Sequence, residues 1–415
     1  MSGPPRTFMV CASDSHLGSP LEQQPLTGIT VLDLGQIYNG PYCGYLLAMA
    51  GARVIKVEPP GGERMRGSGD TLVSYPFMML NGNKETVTLN LKSETGREVL
   101  RGLARRADVL LENFAPGTLD RHGVGAGALT AINPRLIFAA GTGFGRTGPH
   151  RDYRAMDITV QAMTGVMAIT GHDGEPPLKA GPAMCDILGG VHLYAAITTA
   201  LVRRERTGQG AVLDVAMQDS VFPSLTSALG AWYVANGQSK RTGNHHHALA
   251  VAPYNVYATS DGHVAIICVR ERHWLALLDA MGKPELADDP RFADRATRAR
   301  NMAATDAVVE AWTSTLPRAE VFQVCQRNEV PCAPVQSLAD VLNDPHLLER
   351  GALAKVAHEH YGEVALPSTP LRFQDVDPPA VALPRRAGAD NLSVYGELLG
   401  LSADEVGSLK DASAI

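Results

Sequence analysis

A strand, a short helix and a second strand follow one another early in this chain, and that order constrains the fold more than any other feature. ITVLDL (29–34) is an apolar β run that ends in turn residues. Pro41, after Gly40, suits the first turn of a helix, and PYCGYLLAMAGA is apolar on most faces. RVIKVE (53–58) is the second strand, closed by Pro59, Pro60, Gly61 and Gly62. A βαβ unit implies parallel strands joined by a right-handed crossover. The rhythm then recurs. KETVTLNL (84–91) is a strand, SETGREVLRGLARRA (93–107) a helix with a Ser cap and Glu94 in its first turn, and DVLLENF (108–114) another strand. RLIFAAGTGFG (135–145) is a further apolar strand, running into a glycine-rich turn. The first 145 residues read as a doubly wound α/β domain with a parallel sheet.

At 415 residues the chain has room for roughly two to three domains. A helix is expected over 186–203 and a strand over 211–217, after which 224–250 mixes polar and aromatic residues. VYATSDGHVAIICV (256–269) reads as a β-hairpin around Ser260, Asp261 and Gly262. From Glu271 to about Arg327 the pattern is helical, with Trp274, Leu275, Leu277 and Leu278 on one face, which suggests a smaller second domain. VALPSTPLRF (364–373) and a Pro-rich stretch lead to a terminal helix over 391–409, and residues 1–27 read as a loose extension.

Net charge is −6, so the basic footprint of a nucleic-acid binder is absent and any anionic ligand must meet a local cationic patch. The longest central apolar run, LYAAITTALV (193–202), is about half of what a membrane span needs. Six scattered cysteines without a C-x-x-C pair point to reduced thiols and a cytoplasmic location. Cys185 and Cys332 read as apolar filler.

The first βα turn, GQIYNGP, lacks G-x-G-x-x-G, and no G-x-x-x-x-G-K-[ST], G-x-S-x-G or H-E-x-x-H occurs. Dinucleotide, P-loop, serine-hydrolase and zincin chemistry therefore have no motif to stand on. Three strings do stand out: CDILGG around Asp186, ENFAPGTLDRH (112–122), and GNHHHALAVAPYNVY (243–257). On spacing alone Asp186 is a helix N-cap before ILGG. His245, His246 and His247 are adjacent and cannot all face one metal ion. They form a surface turn, or a loop that donates hydrogen bonds to a carboxylate.

GPYCGYLLAMAGARVIKVEPPGGERMR, FMMLNGNKETVTLNLKSETG, DVLLENFAPGTLDRHGVG, NPRLIFAAGTGFGRTGP, AMCDILGGVH, RTGQGAVLDVAMQD and VPCAPV occur in that order. Together they resemble the family III CoA-transferases, which include formyl-CoA transferase, carnitine CoA-transferase and the α-methylacyl-CoA racemases. The resemblance runs from Gly28 to Phe373. It implies a discontinuous large α/β domain, 28–223 with 335–415, and a small inserted α+β domain, 224–334. It also implies an interlocked homodimer whose active site joins one chain's large domain to its partner's small domain.

The same resemblance makes Asp186 the nucleophile, forming aspartyl-acyl anhydrides as CoA passes from an acyl-CoA donor to a carboxylic acid, with no metal. Its carboxylate, ordinarily ionised at neutral pH, would need no general base. Gly189 and Gly190 would offer first-turn N–H groups to an oxyanion. Ile37, Asn113, Phe114, Arg121, His122 and Met217 would line coenzyme A. Tyr38 stands where formyl-CoA transferase has a glutamine, and with His245–His247 would shape the acyl pocket. Formyl-CoA transferase also carries an Arg where this chain has Pro59 and a Lys where it has Thr142. The CoA phosphates would then turn to Lys56, Arg64, Arg66 or Arg146. In the racemase branch a His-Asp pair occupies the positions of Met156 and Asp157. Met156 cannot carry a proton, so a transferase is favoured over a racemase or epimerase, and Asp157 reads as a structural hydrogen-bonder. A non-catalytic binder of CoA esters is disfavoured by the intact CDILGG string.

Overall fold

The computed structural model describes residues 24–67 and 73–415. The first 23 residues of the expected extension lie outside the described residues. Six strands form one all-parallel sheet: β1 (Thr30–Asp33), β2 (Arg53–Glu58), β3 (Glu85–Thr88), β4 (Val109–Glu112), β5 (Ile137–Thr142) and β6 (Ala211–Ala216). Their spatial order is β3-β2-β1-β4-β5-β6. The strands read from the sequence pair as a doubly wound sheet should, with Leu32 opposite Ile55 on one side and Leu110 on the other. The order reverses between β1 and β4. In open α/β sheets the crevice beyond the strand C-termini at such a switch point is where ligands bind.

Alternation along each strand sends successive side chains to opposite faces. Val31, Val54, Val109, Leu111 and Ile137 face one core. There they meet Cys43 and Leu47 of helix α1 (Asn39–Met49) and Leu193, Ile197 and Leu201 of a 24-residue helix, Met184–Thr207. That long helix satisfies the length and apolarity of a membrane span. In the fold it packs on α1, β5 and β6 as a core helix.

Leu32, Ile55, Val87, Leu110 and Phe138 face the other core, under helix α2 (Glu94–Ala104) and the C-terminal residues Val394 and Tyr395. Ser93 caps α2 as the sequence suggested, its hydroxyl accepting from the Gly96 N–H at 3.0 Å.

The chain end completes the sheet. β3 lies at an edge, and its outward N–H groups would be left open. Asp390 accepts from Thr86 N–H at 2.8 Å, Asn391 accepts from Thr88 N–H at 2.9 Å, and the Tyr395 hydroxyl donates to the Thr88 carbonyl at 2.6 Å. The expected single terminal helix is two, Asn391–Leu399 and Ala403–Asp411. Gly400 ends the first in the left-handed region, and Ser402 with Glu405 forms a capping box for the second.

The expected hairpin is present as β7 (Tyr254–Thr259) and β8 (Gly262–Ile267), extended by β9 (Cys332–Pro334) into an antiparallel sheet. Its core, which includes Tyr257, Ile266, Trp274, Leu277, Phe292, Val309 and Cys325, is drawn from residues 257–332. The segment from Glu271 to Arg327 is broken into four α-helices and a 3₁₀ turn. Arg298 is fully buried among them, its guanidinium held by Glu271 at 2.7 and 2.9 Å and by the Phe292 carbonyl. Among the elements unread in the sequence are the helices Tyr75–Asn81, Ala126–Ile132, Asp157–Met163 and Thr226–Val234, and a hairpin of β10 (Leu353–His358) with β11 (Gly362–Pro367).

Candidate active site

The turn after β1 is held from three directions. The Asn113 side chain, just past β4, accepts from Gln36 N–H at 2.7 Å and donates to the Gln36 carbonyl at 2.8 Å. Glu63 accepts from Ile37 N–H at 3.0 Å. Lys56, 1 % exposed, donates to the Gly35 carbonyl and lies 3.5 Å from Glu63. So clamped, Ile37 sits at φ +65°, a region that β-branched residues rarely enter.

Across the crevice, the Met184–Thr207 helix starts with Ala183 at its N-cap, a residue with no side-chain acceptor. Asp157, the first residue of the helix Asp157–Met163, supplies one from outside. Its Oδ1 accepts from Cys185 N–H at 2.8 Å and Asp186 N–H at 3.3 Å. Its Oδ2 accepts from the Gln161 amide at 2.6 Å, and Gln161 in turn accepts from Ala180 N–H at 2.8 Å. The structural reading of Asp157 is thus given a specific form, a cap supplied from another helix.

Asp186 is therefore not the N-cap but the third residue of its helix. Its carboxylate is half-buried, and among the described residues no donor holds it. Burial first, and the charge of Asp157 second, push its pKa up to about 7. The expectation of an ordinary, fully ionised carboxylate at neutral pH is corrected. The two glycines are corrected as well. With the helix starting at Met184, they lie in the second turn, where N–H groups are committed to carbonyls four residues back. Their smallness serves packing: a Cβ on Gly189 would stand 2.2 Å from Asn39 Nδ2, and one on Gly190 2.8 Å from the Asn39 carbonyl oxygen.

A cavity of about 490 Å³ opens at the switch point. It brings together Asp186, Ile37, Asn113, Phe114, Arg121 and Met217 of the expected set. Tyr38, the N-cap of α1, does not line it, and neither does His122, which follows the short helix Thr118–Arg121. The histidines lie against other elements. His245 pairs with Asp306 at 2.7 Å, and His246 and His247 line a separate hollow beside Thr226–Val234. Among the described residues no cluster of three His, Cys, Asp or Glu is placed to hold a metal ion.

Most of the basic residues nominated for phosphates are engaged elsewhere. Arg66 grips Glu58 through two 2.6 Å hydrogen bonds and stacks on Phe77, and Arg146 pairs with Asp120 at 3.2 Å. Arg64 does not line the cavity. The guanidinium groups that do belong to Arg121, Arg151 and Arg154. Arg151 and Arg154 went unnominated, although RTGPHRDYR packs three arginines into nine residues. Asn39 and Met156 also line the cavity.

A family model described as CoA-transferase family III matches residues 26–391. Acetyl-CoA:oxalate CoA-transferase of Acetobacter aceti is 39 % identical over 379 residues, covering 90 % of this chain and 95 % of the relative. Succinyl-CoA–D-citramalate CoA-transferase of Chloroflexus aurantiacus is 34 % identical over 405 residues, 95 % and 99 % of the two chains. The crystal structure of a CAIB/BAIF family protein from Brucella suis superposes with a TM-score of 0.81 at 35 % identity, covering 90 % of this chain and 99 % of that one.

Proposed function

From the premise that this chain belongs to the family III CoA-transferases and transfers CoA from an acyl-CoA to a carboxylic acid, we propose that Asp186 is its nucleophile and a small dicarboxylate its acceptor. The observation that carries this reading is the Asp186 carboxylate itself, unheld by any donor among the described residues and facing the switch-point cavity.

The ionised carboxylate attacks the thioester carbonyl carbon. The C–S bond breaks and CoA leaves as a thiolate with the bonding pair. The thiolate then attacks the aspartyl carbonyl of the anhydride, releasing the donor acid and leaving aspartyl-CoA. The acceptor carboxylate displaces the thiolate to form a second anhydride. Attack of the thiolate on the acceptor carbonyl yields the new acyl-CoA and regenerates Asp186. No proton is gained or lost over the cycle, which divides one difficult exchange into easier steps.

Ile37, Asn113, Phe114 and Met217 line the path of coenzyme A, and Arg121, Arg151 and Arg154 meet its phosphates, which suit guanidinium geometry. Oxalate and citramalate in the names of relatives support a dicarboxylate acceptor. The separate core over 257–332 supports a small domain at 224–334 between 28–223 and 335–415. In an interlocked homodimer, His245–His247 reach the acyl pocket of the other protomer. Five described cysteines, all buried and unpaired, support a cytoplasmic enzyme.

Acetyl-, succinyl- and oxalyl-CoA, each offered with oxalate, succinate, citramalate and mesaconate, test this reading. Exchange is expected in wild type and absent in Asp186→Ala, with hydroxylamine trapping an aspartyl adduct during turnover. Undiminished exchange in Asp186→Ala overturns it.

A further inference from the structure

Asn39 is 2 % exposed, lines the cavity, and leaves both polar atoms of its carboxamide without a hydrogen-bond partner. Burying an amide unpaired is costly, and native proteins tolerate it where another partner arrives during function. The chain also makes unusual room for this group. A Cβ on Gly189 would fall 2.2 Å from its Nδ2, and a Cβ on Gly141, near the end of β5, would fall 2.4 Å from its Oδ1. Neither glycine has a positive φ. Their lack of a side chain provides space rather than backbone freedom. The carboxamide occupies the volume that side chains at 141 and 189 would fill.

Position fixes what it can do. Gly189 follows Asp186 by three residues, so the two lie on one face of their helix, with Cβ positions roughly 5–6 Å apart. Nδ2, 2.2 Å from the place of a Cβ at 189, is therefore set against the helix face that carries Asp186, and both residues line the same cavity.

We propose that Asn39 is a second catalytic residue, donating an Nδ2–H hydrogen bond to the acyl carbonyl oxygen while Asp186 attacks the carbon. This rests on Asp186 being the nucleophile. As the new C–O bond forms, the carbonyl π pair moves onto oxygen and the amide donor meets the growing charge. When the C–S bond breaks, the pair returns and Asn39 is unchanged. A pre-positioned donor in a water-poor site stabilises the charge-bearing state more than the ground state.

The test uses Asn39→Leu, which keeps shape and removes the polar atoms, and Asn39→Asp, which keeps shape and cannot donate when ionised. Acetyl-CoA or succinyl-CoA with oxalate serves as the probe pair, with wild type active and Asp186→Ala inactive as the reference. Both Asn39 variants are expected to lose kcat by about 10²–10³-fold with KM changed less than about threefold. The Asn39→Leu melting midpoint is expected to be unchanged or higher, because no native bond is lost. A kcat within about threefold of wild type in either variant overturns the proposal, as does a loss confined to KM. An inactive wild type, or an active Asp186→Ala, overturns instead the reading on which it rests.

Discussion

Asp157 caps the helix that carries Asp186: its Oδ1 accepts the N–H groups of Cys185 and of Asp186 itself, at 2.8 and 3.3 Å. One carboxylate thus fixes the backbone under another while raising its pKa through like charge. The second effect is removable without the first, because Asn is also a competent cap acceptor.

Asp157→Asn is expected to move the acid limb of the kcat/KM profile to lower pH. Removing the negative charge lets Asp186 ionise more readily, so activity at pH 6 rises relative to that at pH 8. Asp157→Ala is expected to give the same shift and, with the cap gone, to lose about 0.5–2 kcal/mol of stability. A pH–rate profile for each variant beside a urea melt separates the two effects. An acid limb that stays in place in both would show that Asp157 exerts no electrostatic hold on Asp186.

The elevated Asp186 pKa also makes a prediction about wild type. Only the ionised carboxylate attacks, so kcat/KM is expected to rise as pH climbs through about 7 and to level off above it. Stability runs the other way. The folded pKa lies above the unfolded one, so this group's favourable contribution is complete below about 3.9 and is lost as pH rises through about 7. Asp186→Asn, which cannot ionise, is expected to match wild type near pH 4 and exceed it by about 1–3 kcal/mol at pH 8. Thermal melts of both proteins across that range measure the gap, and a constant difference contradicts the assignment.

Basic residues near the site divide into two groups with different phenotypes. Arg121, Arg151 and Arg154 line the cavity. Their Ala variants are expected to raise KM for acyl-CoA several-fold, with a weaker salt dependence and an intact fold. Lys56 and Arg66 are held by Glu63 and Glu58. Lys56→Ala is expected to destabilise the protein by about 3–5 kcal/mol because it leaves Glu63 buried and unpaired. Steady-state kinetics and chemical denaturation of these four variants distinguish the groups. A Lys56→Ala enzyme with full stability and a raised KM would reverse this division.

How much of this was legible beforehand follows from where the information resides. The βαβ order is written in local apolar runs, so the parallel sheet and the strands on it were readable. The break at Gly400 was signalled too, since Ser402 and Glu405 spell a capping box, yet the apolar pattern across 391–409 masked it. Asp186 was found through a resemblance, because its string taken alone suits a helix cap. Its actual place, third in the helix, depends on Asp157, 29 residues away, and no local pattern records that pairing. Asn39 was harder still. A buried amide without partners is defined by what surrounds it, and Gly141 and Gly189 are distant in sequence. The three histidines stand out by repetition, and the pairing of His245 with Asp306, 61 residues away, is likewise recorded in no local pattern.

Ile37 provides the last test. At φ +65° it is held by the Glu63 bond to its own N–H and by Asn113 on both sides of Gln36. Such strain costs on the order of 1–3 kcal/mol, and glycine would relieve it while freeing more of the unfolded chain. Ile37→Gly is therefore expected to change global stability by less than about 1 kcal/mol. The same change removes an apolar wall of the cavity, so KM for acyl-CoA is expected to rise while kcat changes less. Ile37→Val keeps both the branching and most of the wall, and is expected to stay close to wild type in both measurements. If Ile37→Gly instead unfolds at markedly lower urea with an unchanged KM, the side chain is a packing element of the fold and the strained turn does not serve the cavity.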